Sequence, residues 1–352
     1  MGVNFVKSGV AGGRRTTRRE LVAATAAASL GLLVGARPAL GWSDPDDAAG
    51  QDDGGAADRG DRMPTPWWIE RYPELSRVVE VRSARVLNAS VVESGRLGEM
   101  VDRGIQHLTG SANPLTGWQA VLGAAERIVL KFNAVGAGTI RTTEPMARVL
   151  VSRLAAAGYE AGRVALVEAP AKLTKELGAR TAAPGWGTSV PLAGTAEELA
   201  NYLLEADALI NVPFLKTHQI AGMSGCLKNI SHAVIRHPAR YHANGCSPFV
   251  GQVVGSSPVS SRLKLNIVNA LRVVVDGGPD AREADIVGYG GLLLGFDPVA
   301  VDNVGLSILA TERRRLGLNG GGEIRYLVAA ARAGLGRWRP VDIDRVAVEV
   351  EG

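Results

Sequence analysis

Seven short apolar runs alternate with helix-forming segments along this chain, and most of the runs stop at a polar residue. The runs cover residues 77–81, 128–132, 164–168, 208–214, 272–275, 292–295 and 346–350. Runs this short and this apolar read as strands covered on both faces, which is the pattern of a parallel sheet. Helix signals fall between them. Thr143 is expected to cap a helix running to residue 157, with Pro145 in its first turn and Gly158 ending it. Thr195 is expected to cap a helix over 196–205, Asp297-Pro298 to open another, and 323–333 to form a further one. Strands alternating with helices predict an α/β fold: a largely parallel sheet with helices on both faces, with two lobes around a cleft as one form it could take.

In such sheets ligands bind beyond the carboxyl ends of the strands. Here Lys131 and Asn133, Glu168, Lys216 to His218, Asp276 and Asp297 all fall at those ends. Lysine inside an apolar run needs a partner, so Lys131 and Asn133 are read as ligand contacts. The run over 208–214 leads into Lys216-Thr217-His218, and a glycine-rich loop with Gly222, Ser224 and Gly225 then leads to Lys228-Asn229. Past residue 41 there are only six lysines, and two flank this loop. Lysine can give up its proton and act as a nucleophile, which arginine cannot. Glycines let the backbone approach a ligand, and the helix that follows is expected to offer free N–H groups to a phosphate. Thr217 and Asn229 would add directional hydrogen bonds, and His218 could move a proton near neutral pH. The bland alternative is a tight loop whose histidine bonds a neighbouring carbonyl.

His232, His237 and His242 are spaced by five, which does not suit one helix face. A single metal-binding histidine, His242, is preferred over a three-histidine site. Asp297 reads as a helix N-cap, Asp302 as a second-turn residue of the same helix, surface or site, and Asp276 before Gly277-Gly278 as a turn residue. Asn319-Gly320-Gly321-Gly322 reads as a connector.

The first 41 residues are set aside from the fold. Thr17-Arg18-Arg19-Glu20-Leu21-Val22 resembles the twin-arginine export signal, followed by 16 uncharged residues over 21–36 and small residues at Ala39 and Gly41. That length is short for a membrane span, which needs about 20 residues. The motif implies passage through the twin-arginine export machinery to a periplasmic or extracellular site, with no membrane span after removal of the signal. Residues 42–66 are Asp-, Gly- and Ala-rich and read as a disordered acidic linker, leaving 67–352 as the folded α/β domain. Lys7 and five arginines lie in the signal against Glu20, so the remainder carries 33 basic and 34 acidic groups. A chain so balanced leaves no electrostatic footprint for nucleic acid. Two cysteines, Cys226 and Cys246, are too few for an iron–sulfur cluster held by four thiolates; they could pair or stay as buried thiols.

Asn211-Val-Pro-Phe-Leu-Lys-Thr-His218 with Leu-Lys228-Asn229 resembles the domain-of-unknown-function family 362 (DUF362). Val129-Leu-Lys131-Phe-Asn133, Tyr241-His242, Val274-Val-Asp276-Gly and Phe296-Asp297-Pro298-Val-Ala-Val-Asp302 extend the resemblance, in order, from about residue 78 to 318. Many members of that family carry ferredoxin-like cysteine motifs, which this chain lacks. A shorter stretch, His218-x-x-x-Gly222-x-Ser224-Gly225-x-x-Lys228, is similar to the catalytic segment of nickel-dependent lactate racemases. That similarity implies Lys228 as the anchor of a nickel-pincer nucleotide, His218 as an acid/base and His242 as a nickel ligand. The racemases' second acid/base histidine has no clear counterpart, and Cys226 stands where they usually carry glycine. Together these readings imply a cofactor- or metal-dependent enzyme for a small anionic substrate, isomerase-like, with a non-catalytic binder of a phosphorylated or carboxylated ligand as the alternative.

Overall fold

The computed structural model describes residues 63–192 and 194–351, so the segment expected to be an export signal and nearly all of the expected linker lie outside the described residues. Nine strands make one sheet: β1 (Ser76–Arg82), β2 (Ile128–Lys131), β3 (Val164–Val167), β4 (Ala208–Asn211), β5 (Phe214–His218), β6 (Gly222–Ser224), β7 (Leu263–Val274), β8 (Ile286–Gly295) and β9 (Ile343–Glu349). The order across it is β9–β1–β8–β7–β4–β2–β3, with β5 paired to β7 and carrying β6 at its side. The run β7–β4–β2–β3 is parallel, as are β1–β9 and β7–β5; β8 is antiparallel to both neighbours and β6 to β5. The sheet is therefore largely parallel, and the described residues fall within one compact unit.

Helices cover both faces. Successive residues of a strand point to opposite sides. On β8, Leu294 meets Gly104 of α1 (Ser94–Thr109), where an added Cβ would stand 2.6 Å from Leu294 Cδ1. The next residue, Gly295, meets Val301 of the helix Pro298–Arg315, where an added Cβ would stand 2.5 Å from Val301 Cγ2. These two helices thus lie on opposite faces. The second one, called α4 below, starts as expected: Asp297 Oδ1 accepts from Val299 N at 2.8 Å and Ala300 N at 3.1 Å. Between them in the chain come α2 (Thr143–Ala156) and α3 (Cys226–Ala233).

Three expected elements differ. Residues 208–214 do not form one strand, because Pro213 has no N–H for the ladder; β4 ends at Asn211, and Pro213 instead accepts from Asn269 N at 2.8 Å. The chain resumes as β5 and pairs the later part of β7. Residues 195–200 are a strand hydrogen-bonded to Trp186–Leu192, and only Asn201–Leu204 is helical. Glu197 in that strand is buried, held by Tyr241 and His237, a tertiary demand that overrides helix propensity. Thr143 is the first residue of α2 rather than its cap, and Thr142 at the cap position makes no capping bond; its Oγ1 accepts from Asn269 Nδ2 at 3.0 Å.

Candidate functional site

The polar strand ends meet one another before they meet anything else. The Lys131 amine is fully buried and lies 2.8 Å from Glu168 Oε2. It also donates to the backbone oxygen of Asn229 at 2.5 Å and to Asn229 Oδ1 at 2.8 Å. Glu168 reaches it from the turn after β3 with φ +57, a left-handed conformation that costs a non-glycine residue about 1 kcal/mol or more. Asn133 donates to Asn229 Oδ1 at 2.9 Å and accepts from the Lys216 amine at 3.2 Å. Lys216 also donates to the carbonyl of Val135 at 2.7 Å, and burial brings its pKa down to about 8. Asn229 Nδ2 donates to Asn211 Oδ1 at 2.8 Å, and Asn211 in turn donates to Asn266 Oδ1 at 2.9 Å and to the Cys226 carbonyl at 3.0 Å. Thr217 Oγ1 accepts from Gly278 N at 3.2 Å. Lys131, Asn133, Lys216, Thr217 and Asn229 therefore lock the strand ends, the loop and α3 together, and their polar atoms are engaged internally.

The glycine-rich loop is arranged differently from a phosphate cradle. Gly222 has φ +79, and a Cβ there would stand 2.5 Å from Ile324. At Gly225 a Cβ would stand 2.2 Å from Asp302 Oδ1. The close approach that glycine permits is made by the protein's own carboxylate: Asp302 accepts from Cys226 N at 2.5 Å and Leu227 N at 3.0 Å, capping α3 from α4. Two of the first amides of α3 are thus taken by a side chain in the place where a phosphate was expected. Ser224 is buried on β6, opposite Lys216. The phosphate of a lysine-anchored nucleotide does not fit this loop. Cys226 and Cys246 are both free and buried.

A second cluster is more open. Lys228 sits on α3, and His232 four residues on shares its helix face. The segment Pro238–Cys246 brings His242 to the same place. The Lys228 amine lies against the His232 ring, 2.8 Å from Nε2 and 3.0 Å from Nδ1, and 3.4 Å from His242 Nε2; the two Nε2 atoms are 3.1 Å apart. His218, at the end of β5, stacks on His242 at 6.1 Å between ring centroids and 28° between planes. Its Nδ1 accepts from Ile220 N and Ala221 N, both at 3.2 Å, which leaves the neutral ring's proton on Nε2. The three imidazoles are half-buried, while Lys228 is buried. Burial, then the neighbouring Lys228 charge, holds His218 at about 3 and His232 well below its ordinary value; His242 is lowered by the same two causes. Burial also brings Lys228 down to about 8. Near neutral pH this is a group of unprotonated imidazoles around one amine that still carries a proton most of the time.

His237 turns away. Its Nδ1 lies 3.0 Å from Glu197 Oε1 and its N–H donates to the same oxygen at 2.9 Å, while Tyr241 donates to Glu197 Oε2 at 3.0 Å. These bonds fasten the segment that carries His242. His232 is the member that spacing arguments pass over when the three histidines are weighed as a set; its signal is the i,i+4 relation to Lys228. Asp302, Asn211 and Asn266 gave no local signal for their roles. A cavity of about 290 Å³ lies elsewhere, between Met63, Leu192, Gln252 and Gly255. No group of three or more His, Cys, Asp or Glu side chains arranged for a metal occurs among the described residues.

Among curated proteins none matches the chain. Two solved structures are similar to the chain at 12% identity. One is the lactate racemase apoprotein from Thermoanaerobacterium thermosaccharolyticum, with a TM-score of 0.40, covering 66% of this chain and 57% of that one. The other is a protein from Thermotoga maritima, with a TM-score of 0.41 and coverage of 65% and 60%. The chain thus spans less than two thirds of either. Residues 128–307, just over half of the chain, fit one family profile, and that stretch holds Lys131, Lys216, His218, Lys228, His242 and Asp302. The protein belongs to the DUF362 family, a domain of unknown function.

Proposed function

We propose that this protein is an exported enzyme that moves a proton on a small anionic substrate at the cluster formed by Lys228, His218, His232 and His242. One observation carries the reading: the Lys228 amine stands 2.8 and 3.4 Å from two imidazole nitrogens, and burial holds it near pKa 8. A base of that pKa is matched to proton abstraction close to neutral pH. In its charged form the same amine attracts an anion, and no carboxylate is among the groups that shift Lys228 or the three imidazoles. His218, with its proton on Nε2, can donate from the other side of His242. Export rests on the Arg18-Arg19 motif; Arg18→Lys with Arg19→Lys is expected to leave the precursor in the cytoplasm, and unchanged secretion of that variant would remove this part of the reading.

The test is hydrogen exchange at the α-carbon of 2-hydroxy, 2-keto and 2-amino acids in D2O, followed by NMR with protein recovered after native export. Exchange is expected for at least one acid and to fall by 10²-fold or more in Lys228→Met and His218→Gln. Saturable binding of an acid without exchange would instead assign the cluster to a binding protein.

A further inference from the structure

We propose that two copies of this chain pair through β9, antiparallel and about a two-fold axis at Ala347, joining their sheets into one. β9 lies at the end of the sheet and pairs β1 alone among the described residues. The opposite end is treated differently. Past β3, Arg180 N donates to the Val164 carbonyl at 2.7 Å, so a further segment covers that edge. The direction of the backbone groups on β9 follows from one bond. Val350 N donates to the Arg82 carbonyl at 2.8 Å, so residue 350 faces β1, and with a period of two so do 348, 346 and 344. The register with β1 runs unbroken over all of β9, so the alternation holds along the strand. Arg345, Ala347 and Glu349 therefore turn their N–H and C=O groups outward, where they meet no backbone partner among the described residues. Such a row is a template for another strand.

Charge says which strand fits. Pairing about Ala347 sets Arg345 opposite the second copy's Glu349, and the two-fold repeats that pair. Both side chains fall on the face that carries α4, since Arg345 Nη1 lies 3.5 Å from Ser307 Oγ. Glu349 is exposed and meets no cation among the described residues. Arg345 gives Nε and Nη2 to Glu80 Oε2 at 2.9 and 2.5 Å, which leaves Nη1 for an incoming carboxylate. Ala347 is exposed and small enough to face its own copy at the axis. Other registers lose these features. An axis at Arg345 opposes two arginines, one at Glu349 opposes two carboxylates, and one at Val346 leaves Arg345 against alanine. An axis at Val348 would call on Glu351, whose carbonyl already accepts from Arg96 at 3.2 Å. About Ala347, by contrast, every outward group of residues 345, 347 and 349 finds a partner.

The experiment uses the whole chain. Sedimentation equilibrium from about 1 to about 500 µM is expected to show a reversible monomer–dimer equilibrium. Ala347→Cys should form a disulfide-linked dimer under mild oxidation, because a hydrogen-bonded antiparallel pair sets Cα atoms about 5.5 Å apart, within disulfide reach. Glu349→Cys should not, because it faces Arg345 of the second copy rather than itself; Cys226 and Cys246 are buried, and the unsubstituted chain is the blank. Glu349→Arg opposes arginine to arginine twice and should weaken the dimer by about 10-fold or more, most at low salt. Ala347→Pro removes the outward N–H at the axis, spares the ladder to β1, and should weaken the dimer at least as much. Urea midpoints keep the comparison to folded variants. A chain that stays monomeric at the highest concentration, with no cross-link in Ala347→Cys, overturns the proposal. So does a dimer that Glu349→Arg and Ala347→Pro both leave intact, or one that Glu349→Cys cross-links as readily as Ala347→Cys.

Discussion

Glu168→Gln removes the carboxylate that faces the buried Lys131 amine, and its cost can be worked from the geometry. At 2.8 Å and an effective dielectric of about 20 the gross attraction is about 6 kcal/mol. Much of that is offset. Glu168 is 27% exposed, so water screens its side of the pair, and the two Asn229 oxygens stay on the amine after the substitution. Losing one partner of a fully buried pair costs about 3–5 kcal/mol, so this half-open case should cost about 2–3 kcal/mol. Lys131→Met should cost a similar amount, because the Asn229 oxygens lose their donor. In the double variant the two losses overlap, and the coupling should be about 1.5–2 kcal/mol. The pH dependence has a definite sign. Burial lowers the Lys131 pKa and Glu168 raises it in part, so between the folded value and 10.5 the unfolded chain binds more protons and stability rises with pH. Without Glu168 that window widens downward. The deficit of Glu168→Gln should therefore be largest near neutral pH and shrink toward pH 10.5. Urea unfolding of the four proteins at pH 7 and pH 10 measures all of this. Strict additivity, or a Glu168→Gln protein within 0.5 kcal/mol of wild type at pH 7, would refute the reasoning.

Asp302→Ala should cost about 2–4 kcal/mol by leaving two buried amides of α3 without an acceptor, as read from urea midpoints. Burial raises the Asp302 pKa to about 7, so its contribution is full below about pH 4 and is lost as pH rises to about 7; Asp302→Asn should flatten that slope in a stability–pH profile. Gly225→Ala puts a Cβ 2.2 Å from the same carboxylate and should cost about 2 kcal/mol or more, with a rescue of part of the loss by Asp302→Ala in the double variant. Glu197→Gln should cost about 1–2 kcal/mol and lower the proton-exchange rate through His242, whose segment it fastens; an unchanged rate would mean that the segment holds itself.

Local pattern was enough for much of the architecture. Short apolar runs must pair their backbones away from water, so β2 and β3 were legible, as were the closing residues of β7 and β8, and so was the gathering of polar residues at strand ends. Asp297 could be read as a cap because capping is a contact between near neighbours. What escaped depended on partners far along the chain. Residues 195–200 became a strand because Trp186–Leu192 lay ready to pair and Glu197 was drawn inward by Tyr241, 44 residues away. Asp302 took the α3 amides from 75 residues away. Lys131 and Lys216 looked like ligand contacts in isolation, and only packing showed their charges engaged by Glu168, Asn133 and Asn229. His232 and His242 came together because one follows Lys228 on a helix and the other rides a segment held by Glu197. Hydrophobic period and capping are written within a few residues, whereas the partner of a buried charge is settled when the sheet assembles and strands distant in the chain are brought side by side.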